Sequence, residues 1–262
     1  MGKTTGISWC DHTQNSWWGC SKVSPGCKFC YAETLSNRFG ENIWGTDAAR
    51  RIMKEKNWNL PLKWDKEAKK KGVSARCFTA SMSDVMEDRE DLLEARKRLF
   101  KLIKDTPNLD WLVLTKRPEN YMKLGFLPED WGNGYPNVWL GTSVENKDYL
   151  WRAEELAKVP AAIRFLSVEP LLGPLSIKPV VKNMDWIIVG GESGNEARPM
   201  DLGWVRSIRD ETLNASKLFF FKQKGTVLAS NMKCKDKKGG NPEEWPEDLK
   251  MQDSPERRKL TA

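Results

Sequence analysis

Histidine is nearly missing from this sequence. The 262 residues contain one, His12, which excludes a mechanism or a metal site built from several imidazoles. Apolar runs long enough to cross a bilayer are also missing, so no membrane partner is expected. The opening stretch, MGKTTGISWC, lacks an apolar signal core, and Gly6 stands where a myristoylation signal needs Ser or Thr. Cysteine is scarce. Of six, Cys10, Cys77 and Cys234 are scattered, which excludes a disulfide framework and fits a reducing compartment. What the chain does have is tryptophan, 13 of them, and a net charge of +7. The isoelectric point of about 9.0 favours polyanionic partners without saying anything about fold.

Short apolar runs recur along the chain and end in polar residues or glycine. They are RCFTASMSD from Arg76, LDWLVLTKRP from Leu109, NVWLGTSVEN from Asn137, IRFLSVEPL from Ile163, DWIIVGGESG from Asp185 and KLFFFKQKG from Lys217. Helical patterns lie between several of them, at Arg89 to Lys104, Lys147 to Lys158 and Leu202 to Asn214, and an earlier one runs from Tyr31 to about Phe39. Buried strands alternating with helices predict an α/β fold, a partial (β/α) barrel of about six or seven parallel strands. In such barrels the polar strand ends carry the active site. We expect residues 1–225 to form the barrel and 226–262 a polar extension wrapped over it. Residues from about 40 to 75 read as a basic insertion, with nine Lys/Arg against three Asp/Glu from Arg50 to Lys71.

The densest chemistry lies in WWGCSKVSPGCKFCYAE. Cys20, Cys27 and Cys30 are spaced C-x6-C-x2-C. Thiolates are soft ligands for iron–sulfur clusters and zinc. Three of them bind three irons of a [4Fe–4S] cube and leave the fourth open, whereas cluster ligation usually takes four cysteines. A zinc site completed by Cys10 or His12 is an alternative, although zinc ribbons show two C-x2-C pairs and this chain has one. Three buried structural cysteines are another, set against Gly19, Pro25 and Gly26, which describe a shaped loop.

This loop resembles that of the radical S-adenosylmethionine superfamily, in which an aromatic residue precedes the last cysteine, as Phe29 does here. The superfamily's usual first gap is three residues and here it is six. With SMSD, LTKRP, SVEPL and GGESG, the chain resembles a phage and bacterial branch of that superfamily over residues 6 to about 250. The resemblance implies a cytoplasmic enzyme of a bacterial or phage-infected cell, with a [4Fe–4S] cluster on Cys20, Cys27 and Cys30. It implies S-adenosyl-L-methionine on the open iron, cleaved to a 5′-deoxyadenosyl radical that abstracts hydrogen from a substrate. It also implies a one-electron reductant such as flavodoxin or ferredoxin. Ser81, Ser83 and Asp84 stand where the superfamily holds the methionyl amine, although its glycine-rich motif is absent there. Thr142, Ser143 and Glu145 are candidates for the ribose or methionyl group. Glu169, Gly190 and Gly191 lie at later strand ends, where glycine lets backbone approach a ligand. Each of these polar residues is equally a turn or cap type.

Lys116, Arg117, Glu192, Arg198, Lys222 and Gln223 also end strands and are candidates for the substrate side, since cations suit phosphate or carboxylate. A solvated rim of ion pairs is the plainer reading of them. Cys10 and Cys234 are candidate hydrogen donors to a product radical, or merely buried thiols. The basic insertion, with Trp58 and Trp64, suits a DNA or nucleotide substrate through phosphate neutralisation and base stacking. A lysine-rich helix with its tryptophans packed on the barrel explains the same residues. Family context points to isomerisation of a modified thymine in phage DNA. A radical enzyme on a peptide or a free small molecule, or a nucleic-acid-binding protein with a structural iron–sulfur or zinc site, stays open.

Overall fold

The computed structural model describes residues 5–256. The strands are β1 (His12–Thr13), β2 (Trp17–Trp18), β3 (Arg51–Ile52), β4 (Ala75–Thr79), β5 (Leu109–Thr115), β6 (Val138–Ser143), β7 (Ile163–Val168), β8 (Trp186–Gly190) and β9 (Leu218–Gln223). The helices are α1 (Tyr31–Arg38), α2 (Glu55–Trp58), α3 (Leu60–Lys71), α4 (Leu93–Asp105), α5 (Trp151–Ala157), α6 (Leu202–Asn214) and α7 (Thr226–Asn231). Seven strands form one sheet in the order β1-β4-β5-β6-β7-β8-β9, and every neighbouring pair is parallel. Spatial order therefore follows chain order without reversal, and the sheet is a half-barrel. Right-handed crossovers in such an order put the connecting helices on one face. The short strands β2 and β3 pair separately as an antiparallel ribbon.

Strands β4 to β9 are apolar on both faces, and the alternation sorts their residues into two cores. Cys77, Trp111, Val113, Leu140, Leu166, Ile187, Val189 and Phe221 face the helices. Phe78, Leu112, Trp139, Phe165, Trp186, Ile188 and Phe220 face the barrel interior, joined by Trp9. Trp186 is the hub of this inner core, edge-on to Trp9, Trp139 and Phe220. Edge-to-face rings fill space and add electrostatic attraction between quadrupoles. Several of the 13 tryptophans are thus explained as barrel filling.

Helix starts follow local chemistry. The Asp201 side chain accepts from the Gly203 amide and caps α6. The Asn146 side chain accepts from the Asp148 amide, so the segment predicted as helical from Lys147 opens with a 3₁₀ turn before α5. A 3₁₀ turn at Glu90–Leu92 likewise precedes α4.

The basic stretch from about 40 to 75 is in part the crossover itself, because α3 packs on β4 and β5. Trp58 and Trp64 are buried, and His12 stacks on the Trp64 ring. Those tryptophans are packing groups and offer no face to a base. Lys69, Lys70 and Lys71 form the last turn of α3, where positive charge complements the helix dipole. Gly72 then ends the helix and β4 begins at Ala75, so these lysines lie at the N-terminal end of the sheet. Beyond α7 the chain returns beneath the sheet. Gln252 bridges to Phe220, the Trp186 indole donates to Asp253 O, and Arg76 donates to Ser254 and Pro255. Among the described residues no helix is long and apolar enough to cross a membrane.

Candidate functional site

The aromatic filling stops partway up the barrel. By strand parity, Lys116, Ser143, Glu145, Ser167, Glu169, Gly190 and Lys222 continue the inward-facing rows past it, at the C-terminal strand ends. The cysteine loop lies over this polar mouth. It leaves β2 at Gly19, whose φ of +109° and closeness to Ile43 O exclude a side chain. The Gly19 amide donates to Met82 O, which ties the loop to the segment after β4. A 3₁₀ turn spans Pro25–Cys27, and Cys30 is the N-cap of α1.

Three charged anchors hold the loop to three different strand ends. After β5, Arg117 donates to Ser21 O and Oγ at 2.9 Å, and its Nη1 lies 3.7 Å from Cys20 Sγ. After β6, Glu145 accepts from Ser24 Oγ at 2.7 Å. After β8, Arg198 donates to Pro25 O at 2.9 Å while paired with Glu192. Gly26 packs on Glu145 so closely that a Cβ there would sit 2.5 Å from Glu145 Cγ. Glu145 is fully buried, with Lys116 at 2.5 Å and Arg152 at 3.0 Å. Burial pushes its carboxyl up, but the two cations outweigh burial and hold it below the usual range. Across the mouth Lys222 pairs with Glu169 at 2.8 Å.

Tyr31 bridges from the start of α1 to the segment after β4. Its side chain is 56 % exposed, yet its hydroxyl donates to Ser81 O at 2.9 Å. Desolvation there raises its pKa, with Cys30 and Glu169 adding to the shift.

The three thiols are free and half-buried. Burial pushes the Cys20 thiol up to about 12 and raises that of Cys30. Among the described residues no three His, Cys, Asp or Glu side chains are gathered as a metal site. The donor chemistry fits a thiolate-ligated cluster, because three thiols free of disulfides share one anchored loop.

The other predicted residues divide by face and by partner. Ser143, Glu145, Lys116, Glu169, Gly190 and Lys222 share the mouth. Thr142 has the opposite parity and donates to Thr115 O beneath the helices. Asp84 is saturated from within the protein by Thr115 Oγ1, Arg117 and the amides of Met86 and Lys116. Ser81 accepts from Asn15, and the Ser83 hydroxyl is buried without a hydrogen-bond partner among the described residues. Phe29 lies between the cations of Lys28 and Arg198. Gly191 packs on the Lys224 backbone, and Gln223 donates to Gly191 O. Cys10 borders the inner aromatic core, where burial pushes its thiol up to about 12, and Cys234 comes just after α7. Sequence reasoning missed Tyr31, Ser24, Arg50, Glu87 and Arg152. Only Tyr31 carried a local signal, as the residue directly after the last cysteine of the loop.

No curated protein matches the chain. Two solved structures share similarity with it. One is spore photoproduct lyase complexed with dinucleoside spore photoproduct, at 12% identity and a TM-score of 0.45, over 77% of this chain and 61% of that one. The other is a mutant of that lyase with the same ligand, at 13% identity and a TM-score of 0.45, over 77% and 60%. The chain thus spans about three fifths of the length of either. A family match covers residues 4–247, so the chain belongs to the family described as Protein of unknown function (DUF5131).

Proposed function

We propose that this protein is a radical S-adenosylmethionine enzyme whose Cys20, Cys27 and Cys30 hold a [4Fe–4S] cluster over the barrel mouth. One observation carries the reading: a three-thiol loop is fixed to the ends of β5, β6 and β8 above the polar half of an otherwise aromatic-filled half-barrel. When bound, the cluster and S-adenosylmethionine together supply a one-electron cleavage that yields a hydrogen-abstracting radical. The protein's part is position and shielding. The aromatic layer around Trp186 closes the mouth from below and excludes water. Lys116, Glu169 and Lys222 present both charge signs at the mouth and orient polar groups of what binds there, while the buried Glu145 holds Lys116 in place. Tyr31 ties the cysteine loop to the segment after β4 through Ser81 O. An external one-electron donor such as flavodoxin or ferredoxin completes the cycle.

The substrate we assign is a nucleotide, specifically a modified thymine in phage DNA that undergoes isomerisation. The net charge of +7 supports this, and Lys116, Arg198 and Lys222 are strand-end cations that a phosphate would bind in competition with Glu145, Glu192 and Glu169. Anaerobic reconstitution with iron and sulfide, reduction and addition of S-adenosylmethionine should release 5′-deoxyadenosine, and Cys27→Ala should abolish it. A colourless protein holding stoichiometric zinc and cleaving nothing would end the enzyme reading. For the substrate, DNA from phage lacking this enzyme should show a changed nucleoside profile, and an identical profile would reject the assignment.

A further inference from the structure

Behind Cys20 lies a chain of four buried charges. Arg50 donates from Nε and Nη2 to Glu87 at 2.8 Å. Glu87 accepts from Ser21 Oγ at 2.7 Å and lies 3.6 Å from Arg117. Arg117 pairs with Asp84 at 2.9 Å, and its Nη1 reaches toward Cys20 Sγ at 3.7 Å. All four residues are buried. The signs alternate, so the chain is neutral overall, but the member that reaches the sulfur is a cation, Arg117, flanked by Glu87 and Asp84. The other two thiols differ. Near them are the Ser24 hydroxyl, 3.6 Å from Cys27 Sγ, and the backbone of α1 beyond Cys30.

We propose that Arg117 is a positioning residue that orients the Cys20 sulfur and raises the reduction potential of the cluster bound there, with Asp84 and Glu87 setting how much of its charge the sulfur feels. This rests on the cluster reading above. The physical basis is that hydrogen bonds and net charge around cluster sulfurs set the potential of an iron–sulfur centre. The step concerned is the uptake of one electron by the cluster, from its 2+ to its 1+ state, from an external one-electron donor. That step adds a negative charge beside Arg117. A buried guanidinium favours the added charge, and a buried carboxylate opposes it. The low local dielectric keeps both effects strong.

The test is a dye-mediated redox titration of the anaerobically reconstituted protein, read by visible absorbance and by the spin signal of the reduced cluster, with no substrate present. Arg117→Gln should move the midpoint to more negative potential. Arg117→Lys keeps the charge without the fork and should fall between Arg117→Gln and the unaltered protein. Asp84→Asn and Glu87→Gln each remove a compensating charge and should move the midpoint the opposite way. A purely structural network predicts one common behaviour for all four variants, either unchanged midpoints or shared loss of cluster, and that result overturns the proposal. Should the unaltered protein take up no cluster, the functional reading falls and this proposal with it. A bound cluster with a midpoint indifferent to all four substitutions overturns the proposal alone.

Discussion

Replacing Glu145 by Ala removes the carboxylate shared by Lys116 and Arg152, which is also the acceptor of Ser24. The two cations respond differently to the loss. The Arg152 side chain is 1% exposed and cannot recover water, whereas that of Lys116 is 22% exposed and partly can. Breaking a buried ion pair from one side costs about 3–5 kcal/mol. With Lys116 partly rescued, the lower end applies, roughly 3 kcal/mol. For a chain of this size that lowers the melting midpoint by about 6–12 °C. The pH dependence has a defined sign. The Glu145 carboxyl is held below its ordinary value of 4.5, so its contribution is complete above that pH. It is lost as pH falls through the lower folded value, because protonation then discards the two ion pairs. Thermal unfolding of the unaltered protein and of Glu145→Gln between pH 7 and pH 3 measures both effects. The unaltered protein should lose stability more steeply below about pH 4.5, where Gln has no proton to gain. A Glu145→Ala melting point within about 1 °C of the unaltered protein, or parallel acid limbs for the Gln variant, would refute the reasoning.

Gly26→Ala should disturb the cysteine loop while leaving the barrel intact. Glu145 is pinned by Lys116, Arg152 and Ser24 and cannot swing away, so the added methyl should cost about 1–3 kcal/mol and lower iron uptake, with far-ultraviolet circular dichroism unchanged. Trp186→Ala should destabilise the fold by about 3–5 kcal/mol in chemical denaturation, since it empties the hub of the inner core. Replacing Lys69, Lys70 and Lys71 together by Gln should leave nucleotide affinity unchanged in a binding titration, because these lysines lie at the end of the sheet away from the mouth.

Much of the architecture was legible because its signals are local. Six apolar runs ending in polar residues marked strands, and all six are parallel neighbours in the sheet. The cysteine loop was legible for the same reason, since its glycines, proline and thiols fall within a dozen residues. What escaped depends on parity or on distance along the chain. Thr142 and Ser143 are adjacent in sequence, but one step along a strand exchanges the two faces, so only Ser143 reaches the mouth. Asp84 stood at a strand end as expected, yet partners more than thirty residues away consume its oxygens. The pairing of Arg50 with Glu87 spans 37 residues and has no periodicity to reveal it. The basic stretch misdirects because its charges are conspicuous, while Pro61, Trp64 and Ala68, which form the packed face of α3, recur at helical spacing within it.

Trp9 and Asp253 both touch Trp186, one from long before it in sequence and one from well after it. The order of synthesis gives this meeting a consequence. Because spatial order matches chain order, each new strand can dock on the one before it as the polypeptide emerges, and the helix-facing core grows by nearby contacts. The inner core cannot be closed that way. Its first ring, Trp9, and the Asp253 carbonyl that caps its hub are far apart along the chain. Bringing Trp9 and Asp253 together on Trp186 closes loops over many intervening strands, and such long-range closure is the slow part of folding. Until then the aromatic interior stays open to solvent on a nascent chain whose outer layer is already formed.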